Sequence, residues 1–488
     1  MTTPPPPFPD LALMAVSPQA VLLITALVIL CLDLLGKKIE KINITLTALT
    51  GVVAAYACTQ GLSASDEAVF AGMVWRDGWS IYLDQLFLAG TALIVLLSHW
   101  YAERQQMDAY GEFTVLMLFA TLGMMVVSIS ADLVTVFIGI ELLSICLYVL
   151  TGFNKSSLAS GEAAVKYFLL GAFSTGFFVY GLAFLFGVCH TTNLGAIGQA
   201  AAMEEGTPLL VLGFALVLAG LGFKISLVPF HMWAPDVYQG APTPVTAWIA
   251  AGSKIAGFAA LARIFSLPDL SFAPLGELWA EGIWLLSLAT MIVGNAGALV
   301  QNDIKRLLAY SSVAHGGYLA MAFTARNTVG LEALFFYLAA YLFMTIGAFG
   351  IVMLARRNGE ECCSLADFSG LAHQHPMLGA LMAVFLFSLA GMPFTAGFVG
   401  KLWLFGAAIQ AEYYVLAVTG ILTTLLSFYY YLRVIVYMYM REPESGTVFD
   451  PPAASGVIAT GMAALGIVVL GVFPNLVWKV LAAQMRGI

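Results

Sequence analysis

Apolar runs separated by short polar breaks account for almost the whole of this sequence, from Val21 to Trp478. The runs are about 20 residues long, which is the length of helix that crosses the hydrocarbon layer of a bilayer. A lipid-exposed backbone must satisfy its hydrogen bonds within its own segment, so each run is predicted to be a helix. The pattern therefore predicts an all-α, polytopic membrane protein.

Fourteen membrane-spanning helices are predicted when the apolar runs are set against the polar breaks. They lie near residues 18–35, 42–61, 80–100, 113–130, 132–151, 162–188, 208–229, 243–266, 281–300, 304–324, 329–355, 377–408, 411–440 and 454–482. The spans divide the chain into a lead-in with three helices (1–111), five helices (112–267), five more (280–441) and a last helix (442–488).

The composition excludes a soluble protein, because 61% of the residues are hydrophobic and 10% are charged, against about 25% charged residues in a typical soluble domain. There is no basic stripe that would bind nucleic acid. The six cysteines form no CxxC pair, and no GxGxxG element follows a strand. We therefore expect no cofactor and no metal, and any electron transfer must take place on another chain.

The proline-rich first 20 residues carry no Lys or Arg. They are therefore not expected to form a cleaved signal peptide, but an extended lead-in to the first span.

The distribution of basic residues predicts the orientation, because basic loops are retained on the cytoplasmic side. One set of alternate loops carries ten of the 20 basic residues: Lys37, Lys38, Lys41, Arg104, Lys155, Lys305, Arg306, Arg356, Arg357 and Arg441. The opposite loops carry five: Arg76, Arg263, Arg326, Lys479 and Arg486. Both termini are therefore expected to face away from the cytoplasm.

Two of the predicted spans contain a proline followed by phenylalanine, at Pro229 in the seventh and Pro393 in the twelfth. A proline inside a helix removes a backbone hydrogen bond and clashes with the preceding turn, so each helix should kink or break there. Broken helices five spans apart are typical of transporters built from inverted repeats, here spans four to eight and nine to thirteen. The alternative is two ordinary kinks, since proline is common in transmembrane helices.

Six charged residues fall inside the predicted spans. They are Glu141, Lys166, Lys224, Lys254, Lys401 and Arg433. Each costs about 2.5–3.5 kcal/mol on insertion scales, so the six must face one another, water or a protein interior. Four lysines on four different spans, together with one acid, favour a proton-conducting chain, while a static ion pair that fixes helix register is the alternative.

Lysine suits proton transfer because a buried lysine can release its proton near neutral pH, whereas arginine stays charged. Arg433 is therefore interpreted as a structural cation. His231, which follows Pro229, and His315, which lies beside Tyr310, Ser311 and Ser312, could link the lysines through hydrogen-bonded water. The alternative for each histidine is a core residue with satisfied hydrogen bonds. His373 and His375 have no third ligand, so they are not interpreted as a metal site.

Three long stretches of the sequence resemble a known family. They are GFKISLVPFHMWAPDVYQGAPTPV (222–245), NDIKRLLAYSSVAHGGYL (302–319) and SLAGMPFTAGFVGKLW (388–403). These stretches are similar to the antiporter-like membrane subunits of respiratory complex I, NADH:quinone oxidoreductase, over about spans four to thirteen. The chain ends soon after span fourteen, and its ionisable residue on span twelve is lysine. Both features argue against the paralogues that carry a long lateral helix or a glutamate there.

The resemblance assigns roles to individual residues of the proton path. It implies that Glu141 and Lys224 form an ion pair, that Lys254 is the connecting lysine on span eight, and that Lys401 is the outlet-side ionisable residue. It also implies roles for two further residues, Lys166 as an additional lysine and His231 as the histidine beside the first helix break.

The resemblance also implies partners and a location. In the family, quinone reduction on other subunits drives proton movement, and the partners are antiporter-like neighbours, small membrane subunits and the lipid bilayer. A bacterial inner membrane location, with both termini on the periplasmic side, is expected. Two alternatives remain open: a subunit of a multisubunit cation/proton antiporter, and a non-conducting membrane scaffold.

Overall fold

The structure, a computed structural model, describes residues 12–34, 40–64, 68–203, 207–265, 274–442 and 448–484. The proline-rich start of the chain, together with Lys37, Lys38 and Arg486, which entered the predictions above, lies outside the described residues.

The described residues fold almost entirely into helices. The first eleven are α1 Ser17–Leu34, α2 Lys41–Gln60, α3 Gly78–Arg104, α4 Tyr110–Ser128, α5 Leu133–Thr151, α6 Leu158–Cys189, α7 Leu194–Met203, α8 Pro208–Lys224, α9 Ala234–Gly240, α10 Thr243–Trp248 and α11 Lys254–Phe265. The remaining nine are α12 Pro274–Leu299, α13 Ile304–Thr324, α14 Thr328–Leu354, α15 Leu371–Gln374, α16 Pro376–Ala390, α17 Ala396–Gln410, α18 Tyr414–Met440, α19 Ala454–Val472 and α20 Pro474–Gln484.

Short elements connect these helices. A π-helix, Ile249–Ser253, joins α10 to α11, and 3₁₀ turns lie at Leu13–Val16 and Leu365–Phe368. Two antiparallel hairpins lie in loops, β1 Ala68–Val69 with β2 Val74–Trp75, and β3 Arg356–Arg357 with β4 Glu360–Glu361.

Eleven helical segments in the described part of the chain are long and apolar enough to cross a membrane, and two shorter apolar helices, α8 and α16, accompany them. The prediction of an all-helical, multi-pass membrane protein is confirmed.

The two prolines lie between helices rather than inside them. Helix α8 ends at Lys224 and α9 begins at Ala234, so Pro229 falls in the connection. Helix α16 ends at Ala390 and α17 begins at Ala396, with Pro393 between them. Proline disfavours helical backbone at the residue before it, so neither α8 nor α16 continues through its proline.

The central helices are α11 and α14, which are almost wholly buried, whereas the outer side of α6 is exposed. Around them α4 packs along α5, α6 along α8, and α12 along α13. Helix α13 begins at an N-cap, because the Asp303 carboxylate accepts a hydrogen bond from the Arg306 backbone amide. Almost every residue of α13 is buried, so the helix lies in the interior of the protein.

Candidate functional site

Lys224 is the last residue of α8, and its side chain is buried against α5. Its ammonium donates hydrogen bonds to the Ser144 hydroxyl at 2.7 Å and to the Tyr148 hydroxyl at 3.0 Å. The ammonium also lies 5.2 Å from the centre of the Tyr148 ring, close enough for a cation–π contact. Lys224 is therefore held by neutral acceptors.

Glu141 lies on α5 three residues before Ser144, so the two side chains share one side of the helix. Its carboxylate accepts a hydrogen bond from the Thr175 hydroxyl of α6 at 2.8 Å. The ion pair between Glu141 and Lys224 that the resemblance implies is not formed among the described residues, because Lys224 binds Ser144 and Tyr148 instead. These two hydroxyls lie further along α5, within reach of the end of α8.

Lys254, the first residue of α11, is buried and bound to Ser312 of α13. Its ammonium donates to the Ser312 hydroxyl at 2.7 Å and also to the Ser312 carbonyl oxygen. The same hydroxyl accepts from the Tyr341 hydroxyl at 2.8 Å and lies 3.3 Å from the Tyr238 hydroxyl. Ser312 is thus the point at which one lysine and two tyrosines meet.

His315 is fully enclosed, and both of its ring nitrogens contact tyrosine hydroxyls. Nδ1 lies 2.6 Å from the Tyr337 hydroxyl and Nε2 lies 3.2 Å from the Tyr431 hydroxyl. The Tyr431 hydroxyl in turn contacts the Ser311 hydroxyl. Because a hydroxyl can both donate and accept, either tautomer of the imidazole is satisfied, which allows the ring to exchange a proton on both sides.

Lys401 of α17 is buried beside the end of α16. Its ammonium donates to the carbonyl oxygens of Leu389 at 3.0 Å and Ala390 at 3.3 Å. These are the last two residues of α16, where unpaired carbonyls and the helix dipole favour a cation. The ammonium also lies 4.8 Å from the centre of the Tyr318 ring.

Helix α13 brings these groups into one row. Ser312, His315 and Tyr318 are spaced three residues apart, which places them along one side of the helix at about 4.5 Å per step. Ser312 binds Lys254, and the Tyr318 ring lies beside Lys401. His315, between them in sequence, lies within electrostatic range of both lysines.

The sequence pattern predicted that Lys166 is buried, but its side chain is 41% exposed. It forms ion pairs with Glu162 and Asp236, both at 2.7 Å. The side chain is exposed because α6 is an outer helix, on which it lies among other exposed side chains such as Val165 and Phe168. Asp236 also binds Arg306 at 2.7 Å. Sequence reasoning missed Asp236, although it lies inside the stretch 222–245.

His231 lies in the connection between α8 and α9 and is partly buried. Its Nδ1 has no hydrogen-bond partner among the described residues. Arg433 contacts the carbonyl oxygens of Leu299 and Gln301 at the end of α12, as a structural cation would.

Two arginines that were assigned to loops are buried, Arg76 in the connection between β2 and α3, and Arg263 inside α11. Arg76 is 3% exposed and Arg263 is 5% exposed, and each forms an ion pair with an aspartate. Hydropathy alone could not reveal this burial, because the partner of Arg263 is Asp77, far away in the sequence.

The hydroxyl-bearing partners of the lysines were only partly predictable. Ser311 and Ser312 were indicated by their place beside His315, whereas Tyr337, Tyr341 and Tyr431 lie on other helices and carried no sequence signal. Tyr310, also indicated, packs against Gly297 of α12.

Comparison with known proteins gives concordant results. The family profile described as "NADH:quinone oxidoreductase/Mrp antiporter, TM" matches residues 130–427. The NADH-quinone oxidoreductase subunit N of Trichlorobacter lovleyi is 41% identical over 473 residues, covering 96% of each chain. The subunit N of Rhodospirillum rubrum is 41% identical over 439 residues, covering 89% of each chain.

Two solved structures share the fold. A chain of respiratory complex I from Thermus thermophilus with bound aureothin is 35% identical, with a TM-score of 0.82, covering 96% of this chain and 99% of that chain. A chain of the Mrp complex from Dietzia sp. has a TM-score of 0.82 at 20% identity, covering 97% of each chain, and this likeness concerns the fold alone. The chain therefore belongs to the family of NADH:quinone oxidoreductase and Mrp antiporter membrane subunits.

Proposed function

We propose that this chain is a subunit N of NADH:quinone oxidoreductase that moves protons through Glu141, Lys224, Lys254, His315 and Lys401. The observation that carries the proposal is the row on α13, in which Ser312 binds Lys254 and the Tyr318 ring lies beside Lys401, with His315 between them. The names of the relatives support membership of the membrane arm of this enzyme. The redox chemistry of the enzyme takes place on other subunits, which also bind the quinone.

The chemistry follows from how the lysines are held. Lys224, Lys254 and Lys401 bind hydroxyl or carbonyl oxygens, and none of the three has a carboxylate partner among the described ion pairs. Without a fixed counter-charge, desolvation and neighbouring charges decide whether each lysine keeps its proton. Quinone reduction elsewhere in the complex therefore acts by changing those neighbouring charges, which moves protons along the row.

The architecture that supports this path has fourteen spans and two inverted repeats of five. In this interpretation α8 with α9, and α16 with α17, are the two halves of broken spans seven and twelve, interrupted at Pro229 and Pro393. Lys224 ends the first half-helix of one pair, and Lys401 binds the end of the first half-helix of the other. This shared placement supports the repeat, with boundaries at 112–267 and 280–441.

Lys166 and His231 have supporting roles in the proposed path. Lys166, with Asp236 and Arg306, forms a partly exposed charged cluster at the start of α6, where protons could enter from solvent. His231 lies directly after the first break, with an unpaired ring nitrogen in the described structure. Both positions lie outside the row on α13.

We place the protein in the bacterial inner membrane, with both termini on the periplasmic side. Its partners are antiporter-like neighbours and small membrane subunits of the same complex. Membership in a cation/proton antiporter is the second candidate, favoured by the fold shared with the Mrp complex. The 41% identity to oxidoreductase subunits over 96% of the chain favours the first.

The experiment compares Lys224→Ala, Glu141→Gln and Lys401→Ala with wild type in inverted membrane vesicles. NADH oxidation, proton uptake and assembly of the complex are measured together. We expect all three variants to assemble and to lose coupled proton uptake, because each removes a titratable group of the path. Lys155→Ala, at an exposed loop position, is the control and should behave as wild type. Wild-type pumping in Glu141→Gln and Lys401→Ala would refute the path and favour a scaffold.

A further inference from the structure

A second buried ionic network lies apart from the lysine row, where the start of α3 meets α1, α4 and α11. It contains four charged residues, with exposed fractions of 3% for Arg76, 7% for Asp77, 0% for Asp84 and 5% for Arg263. Four charges taken out of water are expensive unless every one is paired and hydrogen-bonded. The proposed proton path uses none of them.

Arg263, near the end of α11, is held from several sides. Its guanidinium binds both carboxylate oxygens of Asp77, at 2.5 and 2.8 Å, and its Nε donates to the Ser128 carbonyl oxygen at 3.0 Å. The guanidinium lies 5.7 Å from the Trp75 ring centre and 5.2 Å from that of Trp79. A planar fork bound to a carboxylate and flanked by aromatic rings is a fixed contact.

The other pair, Arg76 with Asp84, binds the first helix. Arg76 contacts Asp84 at 2.6 Å, the Gln19 side-chain oxygen at 2.9 Å and the Ala15 carbonyl oxygen at 2.8 Å. Asp84 also accepts from the Ser128 hydroxyl at 2.7 Å. Ser128 thus contacts both pairs, but only Asp77 and Arg263 connect the network to α11.

Helix α11 depends on that connection because the rest of its surface is apolar. Its sequence, KIAGFAALARIF, contains two charged residues, Lys254 at the start and Arg263 near the end. The intervening residues are small or aliphatic apart from one phenylalanine, and apolar packing is non-directional. The position of α11 along its axis is therefore set mainly by the polar contacts at its two ends.

The start of α11 cannot fix this position alone. The π-helix Ile249–Ser253 immediately precedes Lys254, and such a segment holds one more residue per turn than an α-helix. A shift of α11 along its axis can be taken up there by a change between π and α geometry. Between Lys254 and Phe265, where the described residues of this region stop, the helix is α-helical throughout, so the contacts of Arg263 anchor it.

We propose that the Asp77–Arg263 pair is a positioning contact that sets the depth at which Lys254 meets Ser312. About 13 Å of helix separates Arg263 from Lys254, at 1.5 Å per residue. The pair also joins the matched region, residues 130–427, to the N-terminal helices that precede it. This inference rests on the proposed function, since depth matters only if Lys254 exchanges protons.

The test uses Asp77→Asn in the complete complex in membrane vesicles. Asparagine keeps an N-cap oxygen for α3 but removes the charge that Arg263 binds. We expect assembly and NADH oxidation to persist while fewer protons are moved per electron, with transfer through this subunit slowed roughly ten- to a hundred-fold, the scale of a misplaced reacting group. Arg263→Lys, which keeps a cation without the planar fork, should act in the same direction.

Asp84→Asn is the matched control, because it removes another buried carboxylate of the same network, from the pair that does not touch α11. It should reduce the amount of assembled complex but leave the protons moved per electron unchanged. An equal fall of that ratio in both aspartate variants would overturn the positioning role. The positioning role would also be overturned if Asp77→Asn and Arg263→Lys failed to assemble while Asp84→Asn assembled, because the Asp77–Arg263 pair would then be required for folding.

A Lys254→Met variant separates this inference from the function on which it rests. If Lys254→Met loses coupled proton movement and Asp77→Asn keeps the wild-type ratio, the positioning role is wrong and the proton path stands. If Lys254→Met itself moves protons as wild type does, the proposed path fails, and the positioning role fails with it.

Discussion

At the scale of single residues, the lysines of the row differ from ordinary buried cations in what they bind. A buried ammonium normally requires a carboxylate to offset its desolvation. Lys254 instead has the hydroxyl and carbonyl of Ser312. Such neutral acceptors satisfy the hydrogen-bond donors of the ammonium but do not neutralise its charge, so its protonation responds to changes in neighbouring charges. The Ser312 hydroxyl is therefore expected to influence the protonation of Lys254.

Ser312→Ala should impair coupled proton movement without abolishing assembly. The substitution removes the hydroxyl that accepts from Lys254 and Tyr341 and that contacts the Tyr238 hydroxyl. A buried donor that is left unsatisfied costs about 1–3 kcal/mol. A change of about 1.4 kcal/mol in a barrier is tenfold in rate, so we expect roughly that loss in NADH-driven proton uptake by vesicles.

Ser160→Ala is the control for this prediction. Ser160 is also buried and donates to the Thr151 carbonyl oxygen at 2.6 Å, but it lies at the start of α6, away from the row. Equal losses in the two variants would mean that Ser312 acts through packing alone.

Local sequence predicted the candidate residues better than their partners. A lysine in an apolar run is visible from hydropathy, so Lys224, Lys254 and Lys401 were identified. Whether a charge is paired depends on residues far away in the chain. Asp77 binds Arg263 at 2.5 Å, but this contact leaves no local signal, so Arg263 was assigned to a loop. Burial of Lys166 was wrongly expected, because hydropathy does not show which helices lie on the outside of the bundle, and α6 is one of these.

At the scale of helices, the connection from α16 to α17 shows how backbone geometry serves a side chain. Gly391 follows the last residue of α16 with φ +86°, the left-handed conformation that ends many helices and favours glycine. A Cβ added there would lie 3.2 Å from Cδ of Lys401. The absence of a side chain therefore both ends α16 and leaves room for the lysine.

Gly391→Ala should destabilise this junction and disturb Lys401. The left-handed conformation costs an L-residue about 1–2 kcal/mol, and the lysine stem must also move. We expect a lower thermal stability of the purified complex and slower proton uptake. Gly406→Ala, in the middle of α17, is the control: a Cβ there meets nothing within 4 Å, so stability should stay equal or rise. A Gly391→Ala variant as stable and active as Gly406→Ala would contradict this account.

Helix ends were predictable where polar residues cap them and not where tertiary contacts decide. The fifth span was expected at 132–151, and α5 runs Leu133–Thr151 because Asp132 caps it. The twelfth was expected at 377–408 with a kink or break at Pro393, whereas α16 ends three residues before that proline, at Ala390. The end of α16 at Ala390 depends on the conformation of Gly391, which hydropathy does not report.

At the scale of the whole molecule, burial separates the helices into two classes. Helices α11 and α14 are enclosed on all sides, whereas α1, α6 and α18 present many exposed apolar side chains, among them Phe173 and Leu425. Exposed aliphatic surface of this extent suits lipid or neighbouring subunits. The buried row on α13 is thus shielded from the bilayer by the outer helices.

The orientation of the molecule can be tested with a native cysteine. Cys363 is exposed in the loop between β4 and the 3₁₀ turn Leu365–Phe368, and the basic residues Arg356 and Arg357 predict that this loop is cytoplasmic. A membrane-impermeant maleimide should therefore label Cys363 in inverted vesicles and not in right-side-out vesicles.

The rate of this labelling should depend on pH. Desolvation by neighbouring protein atoms, the largest influence, raises the pKa of the Cys363 thiol above its ordinary value. The thiolate is the reactive form, so labelling should be slow at neutral pH and accelerate as pH rises toward that higher pKa. In a Cys31→Ser background, which removes the other exposed cysteine of the described residues, Cys363→Ser should abolish the signal, because the adjacent Cys362 is buried. Labelling confined to right-side-out vesicles would reverse the proposed topology and place both termini in the cytoplasm, while leaving the hydrogen bonds of the lysine row unaffected.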